Sequence, residues 1–271
     1  MLRRRLLPGL FGLLIVLALV AVRAADPYPV AVLREISFDL YQRLKPREIP
    51  TDAPVRVVDV DEASLASFGQ WPWSRDRLAT LVERLTELGA AAIVFDMLFP
   101  EPDRMSPQRL AAELPDIDPA TLADYDAQFA AALAGGPTVL GLSRVPEGRP
   151  LQLTPKSGFA VSGADPRPAL QKIEAATVPL RRLYEAAQGL GVVSLSAKEA
   201  VSAVRRLPLM WARAMDFYPS LSVEALRVAQ GAETIVVLGE TSGGGEYPVG
   251  LRVGQFDVPT TSEGDLWLYY H

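Results

Sequence analysis

Residues 55–95 read VRVVDVDEASLASFGQWPWSRDRLATLVERLTELGAAAIVF. An apolar run at 55–59, a helical pattern at 75–88 and a second apolar run at 91–95, separated by turn-forming residues, predict a βαβ unit. The helix is the best marked of the three. Ser74 stands at its N-cap, Asp76 lies in the first turn, Leu78, Leu81, Val82, Leu85 and Leu88 share one face, and Gly89 supplies the stop. Both strands are continuously apolar, as parallel strands covered by helices on both faces tend to be.

Downstream the pattern recurs. Asp118 and Pro119 open a second helix with Leu122, Tyr125, Phe129 and Leu133 facing inward, Gly135 closes it, and a strand follows at 138–142. Residues 144–179 are rich in Pro, Gly and Ser with little periodicity, which predicts a long surface excursion suited to recognition. Strands at 191–195, 204–211 and 234–238, with a helix at 220–229, extend the sheet. Gly243, Gly244 and Gly245 precede neither a Lys-Ser/Thr pair nor a helix, so they predict a turn and not a phosphate loop. The fold class expected is α/β: a mostly parallel central sheet flanked by helices, a C-terminal antiparallel hairpin region and an N-terminal transmembrane helix.

That last element comes from residues 6–22, which are almost wholly apolar, with Arg3, Arg4 and Arg5 before them and Arg23 after. A run of about 17 residues is the short end of what spans a bilayer as a helix, and the Arg cluster places its N-terminal side in the cytoplasm. A cleaved signal peptide fits the same residues, although the run is longer than a usual signal core and Arg23 is awkward beside a cut. Either way the remainder is exported, to the periplasm or the cell exterior. Three segments are expected: an anchor at 1–25, a juxtamembrane helix or stalk at 26–50, and a sensor-type domain at 51–271. In the stalk Leu33, Ile36, Leu40 and Leu44 recur at helical spacing beside Phe38 and Tyr41, ending before Pro46; this stripe packs on the domain or on a second copy of the chain.

Composition removes whole classes of function. With 49% hydrophobic and 22% charged residues the chain buries a core, and with no cysteine it has no disulfides, thiolate metal sites or cysteine nucleophile. The single histidine is His271, which argues against a Ser-His-Asp triad or a histidine zinc site. Four of the 27 basic residues lie in the first 25 positions, which leaves 23 against 32 acidic ones and a formal charge of −9 on the exported part. Nucleic acid is an unsuitable partner for such a surface.

The polar residues that remain suggestive flank the predicted strands. Asp59, Asp61 and Glu62 follow the first, and Asp96, Glu101 and Asp103 follow the second, where ligands of parallel sheets usually sit. Asp59, Asp61 and Asp96 are candidate oxygen ligands for Ca²⁺ or Mg²⁺, the one kind of cofactor the sequence invites. The alternative is that these acids cap helices and pair with Arg75, Arg77 or Arg104. Gln70-Trp71-Pro72-Trp73 sets two large aromatics and a proline before the first helix, either as a contact surface or as a plug against the core. The candidate ligand-binding set is therefore Asp59, Asp61, Glu62, Trp71, Trp73, Arg75, Asp96, Glu101 and Asp103, with no catalytic residue.

Several blocks, in order, carry a resemblance. Phe38-Asp39 with residues 43–47, then VVDVDEASL at 57–65, GQWPWSR at 69–75, FDMLFPEPD at 95–103, VRRLPL at 204–209, PSLS at 219–222, and Val258-Pro259 through GDLWL at 264–268 resemble the CHASE2 domain from about Ser37 to the last residue. The resemblance implies an extracytoplasmic sensor module, usually followed by transmembrane helices and a cytoplasmic adenylate or guanylate cyclase, histidine kinase, protein kinase or diguanylate cyclase. It further implies a homodimer regulating a cyclase that makes cAMP or its guanine counterpart, with the sensor of a histidine or Ser/Thr kinase as an alternative. Residues 196–203 depart from the Asp-Gly-Val approach the family tends to show, and no apolar span follows Leu238, so the chain reads as a receptor cut short at His271. A membrane-anchored binding protein for a metal or small solute is a competing class. A metal-dependent hydrolase using Asp59, Asp61 or Asp96 is a third.

Overall fold

The computed structural model describes residues 2–25, 27–48, 50, 52–111, 118–195 and 204–270. The divergent stretch at 196–203 and His271 lie outside the described residues. Two compact units emerge, one of residues 1–58 with 269–271 and one of residues 59–268.

The first unit is helical. α1 (Leu2–Ala25) carries the apolar run, and α2 (Tyr28–Leu44) begins at Pro27, with a second proline in its first turn where a missing N–H is harmless. Among the described residues no single helix is long and apolar enough to cross a membrane; the segments Leu10–Ala25 and Tyr28–Leu44 meet that test only as a pair. The stripe of α2 is exposed, from 53% at Leu40 to 71% at Leu44. Tyr269 lies 5.4 Å, ring to ring, from Phe38, and the Tyr270 amide donates to Gln42 Oε1 at 2.6 Å.

The expected strand at 55–59 is not formed. Its residues enter no ladder among the described residues, and Val57 is 87% exposed. An apolar run becomes a strand only where a neighbour takes its backbone N–H and C=O groups; without one, water serves them.

The second unit is a mixed α/β body. Its elements are α3 (Glu62–Phe68), α4 (Arg75–Glu87), β1 (Ile93–Val94), α5 (Pro107–Ala111), α6 (Tyr125–Gly135), β2 (Thr138–Pro150), β3 (Gly158–Gly163), β4 (Gln171–Lys172), β5 (Ala175–Thr177), α7 (Arg181–Ala186), β6 (Gly189–Val192), β7 (Arg206–Pro208), β8 (Met210–Arg213), β9 (Asp216–Pro219), α8 (Leu221–Ala229), β10 (Thr234–Ser242), β11 (Gly245–Val253), β12 (Phe256–Pro259) and β13 (Asp265–Trp267). The one mostly parallel sheet expected is replaced by several small ones. β2 pairs in parallel with β1 and β6 and antiparallel with β5; β3, β10, β11 and β12 form a second sheet; β4, β8 and β9 a third; β7 and β13 a fourth.

The helices keep the middle of their expected inward faces and lose the ends, as Leu88, just past α4, is 83% exposed. α4 buries Leu78, Ala79 and Val82, and Gly89 leaves it at φ +81°. Only Ile93 and Val94 of the 91–95 run make ladder contacts, with Thr138 and Val139. The helix expected from Asp118 is instead a 3₁₀ turn, Pro119–Thr121, followed by α6, whose N-cap is Asp124; Leu122 falls between them and stays exposed. Residues 144–179 are less irregular than their composition predicted, since β3, β4 and β5 lie there. β3 pairs in parallel with β10, far along the chain, a ladder no local signal announces. The 204–211 strand divides into β7 and β8. The C-terminal hairpin is as expected: β10 and β11 join through Gly243 and Gly244 at φ +61° and +81°, the left-handed conformation a two-residue turn needs.

Two hydrophobic clusters fill this unit. One gathers Val82, Phe95, Phe99, Phe129, Leu133, Leu140, Trp211 and Tyr218; the other gathers Leu209, Met210, Ala212, Phe217, Val223, Ile235, Val237 and Leu251. Full burial of such side chains contributes about 1.5–3 kcal/mol each. β8 and β9 serve both: Trp211 sits opposite Tyr218 on one face, and Ala212 sits opposite Phe217 on the other.

Candidate functional site

The loop before α4 and the chain after β1 converge on a cavity of about 300 Å³ whose lining includes Trp71, Trp73, Met97, Pro100, Pro102 and Met105. Trp73 is fixed from behind: its Nε1 donates to the Gly69 carbonyl at 2.8 Å and its ring meets Phe68 edge-on at 5.6 Å. Trp71 lies 5.8 Å from Trp73, is 41% exposed, and enters a cis peptide with Pro72. Two indoles and two thioethers on a proline-rich rim favour apolar or planar surface.

Charge is held beneath this rim and turned inward. Arg75 is buried, pairs through Nη1 with Asp126, donates through Nη2 to the Glu101 carbonyl, and lies 5.2 Å over the Phe99 ring. Ser74 has N-cap backbone geometry but makes no side-chain cap bond. Its place is taken by Asp103, whose Oδ2 accepts from the Arg75 amide at 2.7 Å and whose Oδ1 accepts from the Met105 amide at 2.9 Å. The Asp103 amide in turn donates to Asp126 at 3.0 Å. The network rests on the edge-on triad of Phe95, Phe99 and Phe129, with centroids 5.3–5.6 Å apart.

Of the residues singled out from sequence, the fold brings Trp71, Trp73, Arg75, Glu101 and Asp103 together around this cavity. Asp59, Glu62 and Asp96 are exposed and do not line it. Asp61 caps α3, its Oδ1 accepting from the Ser64 amide at 2.8 Å, and the Ser64 hydroxyl first and this amide second hold its carboxyl below the usual range. Among the described residues no group of three or more acids or histidines is arranged to hold a metal ion. Asp126 was missed by sequence reading; a carboxylate in the first turn of a helix already capped by Asp124 carries no mark of a partner 51 residues away.

A family model for the CHASE2 domain matches residues 13–271. The chain belongs to the CHASE2 family. CHASE2 is an extracytoplasmic sensory domain found in membrane receptors, and is not itself catalytic. No curated protein and no solved structure matched. In this CHASE2 chain the conspicuous GQWPWSR and FDMLFPEPD blocks are the two walls of one cavity, with Arg75 and Asp103 as the tie between them.

Proposed function

We propose that this chain is the extracytoplasmic sensory part of a bacterial receptor, anchored through α1, acting as a homodimer and governing a cytoplasmic nucleotide cyclase. Family membership supports the sensory role. The observation that carries the coupling is the return of Tyr269 and Tyr270 to α2: the juxtamembrane helix and the last described residues form one unit, so a change in either is felt by the other. The exposed stripe Leu33, Ile36, Leu40 and Leu44 is the surface on which α2 of a second copy packs. The Trp71–Trp73 rim contributes a contact surface for an apolar group.

A ligand that favours one arrangement of the dimer shifts the population seen by the output domain by no more than its difference in affinity for the two arrangements. The chain lacks cysteine, so single cysteines report cleanly. With Leu33, Ile36, Leu40 or Leu44 replaced by Cys in membranes, disulfide-linked dimers are expected at these positions and not at Glu35 on the opposite face. Equal cross-linking on all faces, or none, removes the α2 dimer. A reporter enzyme active only outside the cytoplasm, fused after position 45, tests export. An in-frame continuation beyond codon 271 encoding apolar spans and a cyclase supports the output assignment; a kinase there replaces it, and a stop codon favours an anchored binding protein.

A further inference from the structure

A second cavity lies away from the tryptophan rim, on the edge strand of the β3–β10–β11–β12 sheet. Pro155, Ser157, Phe159 and Val161, spaced two apart as the chain enters β3, line one wall. Met215, Asp216 and Phe217, at the tip of the β8–β9 hairpin, line another, and Arg167 completes a space of about 460 Å³. That size lies within the range of small-molecule sites.

Its chemistry is mixed in a particular way. Phe159 and Phe217 lie 5.6 Å apart and give an apolar floor. The Arg167 guanidinium stands 5.6 Å over Phe217 and is held in place: Nε donates to Asp165 at 2.8 and 3.0 Å, and Nη1 to the Met215 carbonyl at 3.0 Å, while Nη2 makes no hydrogen bond among the described residues. Asp216 adds an exposed carboxylate to the same lining. Ser157 is only 7% exposed, and its Oγ has no hydrogen-bond partner among the described residues. A buried hydroxyl left without a partner costs free energy, so its retention calls for a reason.

We infer that this cavity binds a small zwitterion with an apolar body, the class of an apolar α-amino acid. Its carboxylate is met by Arg167 and, once the buried Ser157 hydroxyl turns outward to the cavity, by Ser157 Oγ, its ammonium by Asp216, and its side chain lies against Phe159, Val161 and Phe217. Asp165 already pairs with Arg167, so a single-charge ligand leaves either the Nη2 of Arg167 without an acceptor or the Asp216 carboxylate without a cation, and discrimination comes from both ends. This supplies a stimulus class for the sensory reading, yet it is tested by binding alone. A failed titration leaves dimer and output untouched, and their failure leaves it standing.

The experiment is calorimetric titration of the full 271-residue chain in detergent micelles with L-phenylalanine, and with phenylpropionate and phenethylamine as analogues lacking one charge each. Saturable binding of L-phenylalanine is expected, at least tenfold tighter than either analogue. Arg167→Met weakens it about tenfold or more, and Asp216→Asn erases the preference over phenylpropionate. Ser157→Ala is the sharper variant, because it removes an unpaired buried hydroxyl: the free chain melts at an equal or higher temperature while L-phenylalanine binds at least fivefold more weakly. No saturable heat with L-phenylalanine or L-leucine, an analogue binding as well as the zwitterion, or unchanged affinity in Ser157→Ala would overturn the assignment.

Discussion

Glu224 has no exposed surface, and its carboxylate is taken from several directions: Oε1 accepts from the Leu190 amide at 3.2 Å and from Arg227 Nη2 at 2.8 Å, and Oε2 from Arg227 Nε at 2.9 Å. Removing one member of such a pair leaves a buried charge alone, so Glu224→Ala is expected to lower unfolding free energy by about 3–5 kcal/mol in urea titrations. Arg75→Met, which strands Asp126, belongs in the same range. Asp124 behaves differently. Partial burial pushes its carboxyl up, but the Arg182 guanidinium and the Ala127 amide outweigh this and hold it below the usual range. A carboxyl lowered on folding adds stability that is complete above its unfolded value and lost as pH falls through the folded one. Asp124→Asn keeps the cap and deletes the charge, so wild type should exceed it by at most about 1 kcal/mol near neutrality, with the gap closing below about pH 4. At this scale little was legible in the sequence. Arg75 and Asp103 stood out in their motifs, but the partners Asp126 and Arg182 come from distant segments, and nothing about a lone Asp or Arg announces which distant charge it will meet.

Elements were legible in proportion to how local their reasons are. α4, the body of α6 and α8 follow from spacing, but the caps expected of Ser74 and Asp118 do not serve α4 and α6, whereas α8 begins where Ser220 accepts from the Val223 amide. Strands depend on partners. The run at 55–59 has the composition of a buried strand but lies exposed, whereas β3, with a burial pattern almost entirely exposed, is a strand because β10 pairs with it. Val57→Asp separates the two accounts: it should change stability by less than about 0.5 kcal/mol, while a buried strand would lose several. Close approach also sets element positions. A Cβ on Gly191 would stand 2.5 Å from the Leu221 Cα, so β6 and the start of α8 touch only because that side chain is missing. Gly191→Ala should therefore cost about 1–3 kcal/mol by chemical denaturation.

Across the second unit, β8 and β9 are the shared wall of two cores, with Trp211 and Tyr218 in one and Met210, Ala212 and Phe217 in the other. Amides of this hairpin should exchange with solvent only through global unfolding, and those of residues 52–60 within the earliest time points of a native-state exchange experiment. Early exchange of the hairpin would show that the cores open separately. The same hairpin carries Met215, Asp216 and Phe217 at its tip, so an occupant of the second cavity presses on an element both cores share. The contrast between Trp211, 1% exposed, and Trp71, 41% exposed, has a practical use. The protein carries four tryptophans, and with Trp73 and Trp267 replaced by Phe two intrinsic lamps of different colour remain. Iodide should extinguish the redder emission of Trp71 and leave the bluer light of Trp211 untouched, so one fluorescence spectrum follows the tryptophan rim and the interior separately.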